Sequence, residues 1–276
     1  MTKTWFITGA SSGLGLSMTE KLLVRGDRVA ATVRRTDALA EHQARYGDRL
    51  LALTLDVTET AAVRAQVAHA FARLGRIDIV VSNAGYGLFG AAEEVTDAQI
   101  DRQIATNLVG SIQLIRASLP HLRAQGGGRI VQILSEGGQI TYPGFSLYHA
   151  TKWGIEGFVE AVAQEVAPLG IDFLLVEPGP TDTGFGRGLD RGEPSVAYDA
   201  TPAGEVRRAM AEGRFEVRGD ADRTVDAIIR TADGDDPPLR LTLGGGAYGS
   251  IGAALRDRLR ALEAQRAVAL SADKVD

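Results

Sequence analysis

Tyr148 and Lys152 stand four residues apart in Tyr-His-Ala-Thr-Lys, ahead of Ile155, Val159, Val162 and Val166. Those apolar residues repeat with a helical period, and on a helix two side chains at this spacing lie one above the other on one face. A phenol of pKa about 10 is a poor acid or base at neutrality, but a neighbouring ammonium favours the phenolate and draws that value down. Such a pair is able to give a proton to a carbonyl oxygen being reduced, or to take one from an alcohol being oxidised. Taken alone, the same two residues also describe a solvated helix surface.

Thr8-Gly9-Ala10-Ser11-Ser12-Gly13-Leu14-Gly15 offers a second chemistry. It lies between an apolar run and a helical pattern. There, glycines let the backbone turn sharply and approach a phosphate, and a helix N-terminus presents free N–H groups and a positive dipole end. Such a turn suits a dinucleotide pyrophosphate, although Gly-x-x-x-Gly-x-Gly departs from the Gly-x-Gly-x-x-Gly fingerprint and a ligand-free tight turn is the alternative. An NAD site places Asp or Glu about 20 residues further on, against the adenosine ribose. Here the next strand ends Ala31-Thr32-Val33-Arg34-Arg35. In place of a carboxylate, two guanidinium groups attract a 2′-phosphate by charge and bidentate hydrogen bonds. The sequence therefore predicts NADP(H) in preference to NAD(H), with Arg34 as the main discriminator; an arginine pair solvated at a strand end is the other reading.

The elements that must position these groups are legible as alternation. Near-continuous apolar runs at Lys3 to Thr8, Arg28 to Val33, Leu50 to Leu55, Ile77 to Ser82, Gly128 to Leu134, Ile171 to Glu177 and Leu239 to Leu243 read as strands covered on both faces. Between them lie helical patterns such as Gln99 to Leu122, where Ile100, Ile104, Leu108, Ile112, Ile115 and Leu119 make one apolar face. Strand and helix in alternation predict an α/β fold: a doubly wound, Rossmann-type, mostly parallel seven-stranded sheet with helices on both faces. Gly184 to Gly204, rich in Gly and Asp, reads as a mobile loop or lid. Asp233-Gly-Asp-Asp-Pro-Pro238 is a connector, and a charged helix follows from about Gly249 to Ala267.

The set Thr8 to Gly15, Asn83-Ala84-Gly85, Asn107, Ser135, Tyr148 with Lys152, and Pro178-Gly179 resembles, in order and spacing, the short-chain dehydrogenase/reductase family in its shorter single-domain form. The resemblance runs to about Gly184 and implies a role for each matching residue. Tyr148 is the acid/base, and Lys152 holds the nicotinamide ribose and lowers the tyrosine's pKa. Ser135 hydrogen-bonds the substrate oxygen as it gains negative charge. Asn107 anchors a water leading from the lysine to solvent; without the family it reads as a buried amide needing partners. Gly9, Ser11, Ser12, Gly13, Leu14 and Gly15 form the phosphate turn. Asp56, followed by Val57, matches the aspartate on the adenine, or else caps Thr58 to Thr60. Asn83, Ala84 and Gly85 pack along the adenosine ribose, and Pro178, Gly179, Thr181 and Thr183 meet the nicotinamide and its carboxamide.

The implied reaction is hydride transfer between NADP(H) and a carbonyl or secondary alcohol, needing no metal. His42, His69, His121 and His149 lie in separate helical segments without ligand spacing. Tyr86, Leu88 and Phe89, Gln139 to Leu147 and Phe185 onward are the candidate pocket residues, and their aromatics suggest an apolar small-molecule substrate. Glu136, directly after Ser135, departs from the small or hydroxyl residue common there. Alternatives are an epimerase or dehydratase of the same superfamily and a non-catalytic NADPH-binding sensor or scaffold.

Composition bounds the remainder. The chain has 276 residues, 45% hydrophobic and 24% charged, with 33 glycines, no cysteine and a formal charge of -5. Thiol chemistry and disulfides are excluded, and the mild acidic balance argues against nucleic acid or anionic membranes as partners. No apolar run reaches the roughly 18 to 20 residues of a spanning helix. The expected location is the cytoplasm. The expected division is 1–248 as one dinucleotide-binding and catalytic domain, with 184–204 as a substrate lid and 249–276 as a C-terminal helix and tail. The resemblance implies a homodimer or homotetramer.

Overall fold

The computed structural model describes residues 2–274, so Met1 and the last two residues of the expected tail, Val275 and Asp276, lie outside the described residues. In chain order the first half contains β1 (Thr4–Thr8), α1 (Gly13–Arg25), β2 (Arg28–Val33), α2 (Ala40–Tyr46), β3 (Leu50–Thr54), α3 (Thr60–Leu74), β4 (Ile79–Ser82), β5 (Leu88–Phe89), α4 (Asp97–Ile104) and α5 (Gly110–Ala124). There follow β6 (Gly128–Ile133), α6 (Ser146–Val166), β7 (Ile171–Pro178), β8 (Asp190–Arg191), α7 (Pro202–Ala211), α8 (Ala221–Asp233), β9 (Arg240–Leu243), α9 (Gly245–Ala264) and α10 (Arg266–Leu270). Seven strands form one sheet in the order β3-β2-β1-β4-β6-β7-β9, and each neighbouring pair is parallel.

The apolar runs become central strands because both of their faces are covered. Successive side chains point to opposite sides of a strand. Phe6 thus joins Ala30, Val80, Ile130 and Leu175 in the core shared with α3, α5 and α6, while Trp5 and Ile7 join Val29, Val81, Val131 and Leu174 in the core shared with α1 and α8. All five residues of β1 are buried. Since the strands are parallel, their C-terminal ends fall on one edge, where Thr8, Val33, Thr54, Ser82, Ile133 and Pro178 deliver the chain into the connecting loops.

Every predicted strand is present, with ends shifted by at most a few residues. The helix expected over Gln99 to Leu122 is interrupted: Thr96 and Gln99 form a capping box that opens α4, and a π-helical turn at Ala105–Val109 separates it from α5. Gly184 to Gly204 is less irregular than its composition suggests. It carries β8, paired in parallel with β5 through Leu88 with Asp190 and Phe89 with Arg191, and it ends inside α7. The charged helix begins at Gly245, four residues before the expected start. Among the described residues no helix is long and apolar enough to cross a membrane.

Candidate active site

The turn after β1 is built by packing before any ligand is considered. A Cβ on Gly9 would lie 2.9 Å from the Ala84 Cα, and one on Gly15 would lie 2.5 Å from both the Gly9 carbonyl oxygen and Asn83 Nδ2. Asn83 Nδ2 donates to the Thr8 and Gly9 carbonyls at 2.8 and 3.1 Å, and the Asn83 and Ala84 N–H groups donate to Thr8 Oγ1 at 3.0 and 3.1 Å. Asn83 therefore clamps the end of β4 to the end of β1, and Gly9 and Gly15 make room for the clamp.

Gly13 has a φ of +55°, and a Cβ there would face Thr183 at 3.7 Å. Ser11 and Ser12 are exposed, Leu14 is half-buried, and the N-terminus of α1 has no side-chain cap and no acidic residue in its first turn. Free N–H groups, small residues and the absence of negative charge fit an anionic group at this position. Arg34 and Arg35 are exposed at the end of β2, and Arg35 reaches Asp37 at 3.4 Å. The residues present thus fit a dinucleotide.

Asp56 caps the following turn: its Oδ1 accepts from the Thr58 N–H at 3.0 Å and from the Thr58 hydroxyl at 2.7 Å. Those bonds hold its carboxyl below the usual range against a partial burial, and Arg34 adds to the lowering. Val57 packs on the start of α5, where a Cβ at Gly110 would meet it at 3.0 Å. At the end of β7, Gly179 donates to the Leu243 carbonyl at 3.0 Å, the Thr181 hydroxyl donates to the Gly179 carbonyl at 2.9 Å, and Thr183 Oγ1 accepts from the Phe185 N–H at 3.2 Å.

Tyr148 and Lys152 occupy one buried face of α6, each 8% exposed. Lys152 Nζ lies 5.5 Å from the Tyr148 ring centroid and donates to the Ile133 carbonyl at 3.1 Å. Ser135 follows β6 and accepts the Gly137 N–H at 3.1 Å. Burial pushes the Tyr148 phenol up to about 12; the neighbouring Ser135 hydroxyl acts against that rise, and the negative charge of Glu136 adds to it. Burial likewise brings Lys152 down to about 8, against the pull of Glu156. The expected lowering of the phenol by Lys152 does not set this balance. The dominant cause is desolvation, which disfavours the charged form of both groups.

Asn107 lies in the π turn and is 2% exposed. Its amide grips the backbone of Tyr86 twice, Nδ2 donating to the carbonyl at 2.8 Å and Oδ1 accepting from the N–H at 3.1 Å. The buried amide thereby finds its partners, and it holds the segment after Gly85, where a Cβ would meet Asn107 Oδ1 at 3.2 Å.

Some residues that shape the site carry weaker sequence signals. His149 is not an ordinary helix residue: its Nε2 accepts from the Tyr142 N–H at 2.8 Å and its Nδ1 donates to the Gly137 carbonyl at 2.8 Å. Both nitrogens are thus assigned to a neutral ring that braces the loop between Ser135 and Tyr148, and burial keeps its pKa low. Phe89 and Phe145 cluster with Tyr148, joined by Tyr142, Leu189, and Val206 and Met210 of α7. Phe185 lies 5.8 Å from the Tyr148 ring, centroid to centroid. The surface hollows against α3 and α5, around His121, include none of these residues.

Residues 3–194 match the family model for short chain dehydrogenase. An oxidoreductase of Botryotinia fuckeliana is 36% identical over 246 residues, covering 88% of this chain and 89% of that protein. The crystal structure of a short-chain dehydrogenase from Streptomyces avermitilis aligns with a TM-score of 0.91 and 38% identity, over 99% of this chain and 100% of that one. A 3-ketoacyl-(acyl-carrier-protein) reductase of Brucella melitensis, complexed with NADH, aligns with a TM-score of 0.74 and 25% identity, over 89% of this chain and 98% of that one.

Proposed function

The chain belongs to the short-chain dehydrogenase family, oxidoreductases acting on CH–OH and C=O groups, and from that premise we propose that it transfers hydride between NADP(H) and a carbonyl or secondary alcohol of an apolar small molecule. The reading is carried by the meeting of Ser135, Tyr148 and Lys152 beyond the C-terminal end of β6, on the edge of the sheet that also holds the glycine turn. Ligands of open α/β sheets bind along that edge.

When bound, the nicotinamide supplies or accepts the hydride. The chain's own residues do the rest. Tyr148 Oη gives its proton to the substrate oxygen as the carbonyl carbon gains hydride, so that C=O becomes CH–OH, and takes the proton back in the reverse direction. A phenol held near 12 is fully protonated at neutrality and ready to act as the acid. The Ser135 hydroxyl donates to the same oxygen as it becomes negative. Lys152 holds the nicotinamide ribose, and Asn107 keeps the Tyr86 segment beside the adenosine. Gly9, Ser11, Ser12, Gly13, Leu14 and Gly15 receive the pyrophosphate. Arg34 receives the 2′-phosphate, and Asp56, Val57, Asn83, Ala84 and Gly85 line the adenosine side. Pro178, Gly179, Thr181 and Thr183 meet the nicotinamide. The cluster of Phe89, Phe145, Leu189, Val206 and Met210 beside Tyr148 supports an apolar substrate. Pairing of copies through α4, α5 and α6 belongs to the same reading.

The test is NADPH oxidation against a panel of ketones, aldehydes and quinones, with Tyr148→Phe as control. Turnover is expected to fall by at least about 100-fold in the variant, the scale of a lost general acid; unchanged turnover refutes the mechanism. In the same assay Arg34→Ala is expected to weaken NADPH binding more than NADH binding, and equal tightness for both in the parent chain would return the cofactor assignment to NAD(H).

A further inference from the structure

Glu136 is 2% exposed. Its Oε1 accepts from the Tyr142 hydroxyl at 2.6 Å and its Oε2 from Ser250 of α9 at 2.8 Å. Among the described residues it forms no salt bridge with Lys, Arg or His. Hydroxyl dipoles satisfy both oxygens without cancelling the charge, and a buried anion in that condition projects a field into its low-dielectric surroundings. That field reaches the site, because Glu136 directly follows Ser135 and its partner Tyr142 is bonded in turn to His149, next to Tyr148; its charge favours the protonated form of both Tyr148 and His149. Glu136 Oε1 also lies 3.8 Å from the place of a Cβ on Gly179. The nearby cations make their hydrogen bonds elsewhere, Lys152 to the Ile133 carbonyl and Arg258 to Gln139 from the exposed side, and neither pairs with Glu136.

The geometry points to Glu136 as the side chain that sets the charge preference of the nicotinamide site, favouring the oxidised, positively charged ring over the reduced, neutral one. The inference rests on the proposed hydride transfer. A carbon whose oxygen touches Ser135 and Tyr148 must stand about 3–3.5 Å from the hydride-bearing carbon, which brings the ring to the residues adjoining Glu136. Loss of hydride converts the ring to a cation, so a fixed anion draws the bound pair toward NADP+ and alcohol. At about 10 Å and an effective dielectric near 20, two unit charges alter affinity by on the order of tenfold.

The experiment measures dissociation constants for NADP+ and NADPH separately, without substrate, by titration calorimetry. Glu136→Gln keeps the side-chain shape, with an amide oxygen for Tyr142 and an amide nitrogen for Ser250. The ratio Kd(NADP+)/Kd(NADPH) is expected to rise by about tenfold in that variant, with NADPH affinity little changed. An unchanged ratio overturns the inference. Ser250→Ala, on α9, removes a hydroxyl and keeps the charge, and it decides independently should Glu136→Gln fail to fold: a ratio at or below that of the parent chain supports the charge role, and a rise overturns it in favour of a loop brace. A parent chain that binds neither form refutes the dinucleotide reading and this inference together. Binding of both forms, a loss of turnover in Tyr148→Phe and a flat ratio in Glu136→Gln refute the inference alone.

Discussion

In the proposed mechanism Lys152 holds the nicotinamide ribose, and its ammonium is the charged group of the site that titrates nearest neutrality. Its pKa is about 8 in the folded protein against 10.5 for the free side chain. The folded value is the lower one, so the unfolded chain binds more protons between those two pH values. Stability therefore rises as pH climbs from about 8 to 10.5, and the cost of the buried ammonium is fully present below about 8. Lys152→Met is expected to abolish turnover while leaving the melting temperature at pH 7 unchanged or higher, since the thioether carries no charge to desolvate; differential scanning calorimetry checks this. Reduction should lose rate above about pH 8 as the ammonium is lost, while Tyr148 remains protonated. In Lys152→Arg whatever rate survives should show no such limb in its kcat/KM profile, because a guanidinium does not titrate there. The Tyr148 and Lys152 pair was legible because i and i+4 share a helix face. The role of His149 was not, since its ring acts on Gly137 and Tyr142 across a loop whose path the spacing does not reveal.

At the scale of elements, the π turn Ala105–Val109 decides where Asn107 points. An uninterrupted α-helix was expected there because the apolar face repeats through it, and a one-residue widening leaves that pattern readable on both sides. Asn107→Leu keeps the bulk but strips the Tyr86 N–H and carbonyl of their partners. It should cost about 1–3 kcal/mol in denaturant unfolding, and it should also disturb the Gly85–Tyr86 segment and lower kcat. Other elements were readable yet unread: Val225, Ile228, Ile229 and Ala232 of α8 repeat at helical spacing behind Asp220, whose side chain accepts the Arg223 N–H at 2.8 Å. The β5 with β8 pairing was not readable. Two residues on each side give no periodicity, and the pair exists because Asp190 is held by Gln99 and Arg102 of α4.

Across the whole molecule, the last strand is fastened to the site by charge. Arg240 of β9 reaches Glu156 and Glu160 of α6 at 2.7 and 2.6 Å and Glu177 of β7 at 2.5 Å, while Thr242 also donates to Glu177 at 2.9 Å. Glu156 and Glu177 are almost fully buried, and Glu156 is the group that holds up the Lys152 pKa. Arg240→Leu should therefore destabilise the fold by about 3–5 kcal/mol, as expected when one partner of a buried pair is removed, read from urea unfolding at pH 7. The outer face of α6 is tied to α9 as well, with the Arg258 guanidinium 5.0 Å from the Trp153 ring.

The alternating strands and helices, the glycine turn and the Tyr148 and Lys152 pair are all readable from the residues alone, because each is written in short-range spacing that maps onto a fixed backbone period. Which charges are buried and whom they face is settled by packing between distant segments: Glu136 between Tyr142 and Ser250, Glu156 between Lys152 and Arg240, and a phenol raised rather than lowered. Desolvation depends on everything packed around a group, including residues more than a hundred positions away in the chain, and no local pattern records it.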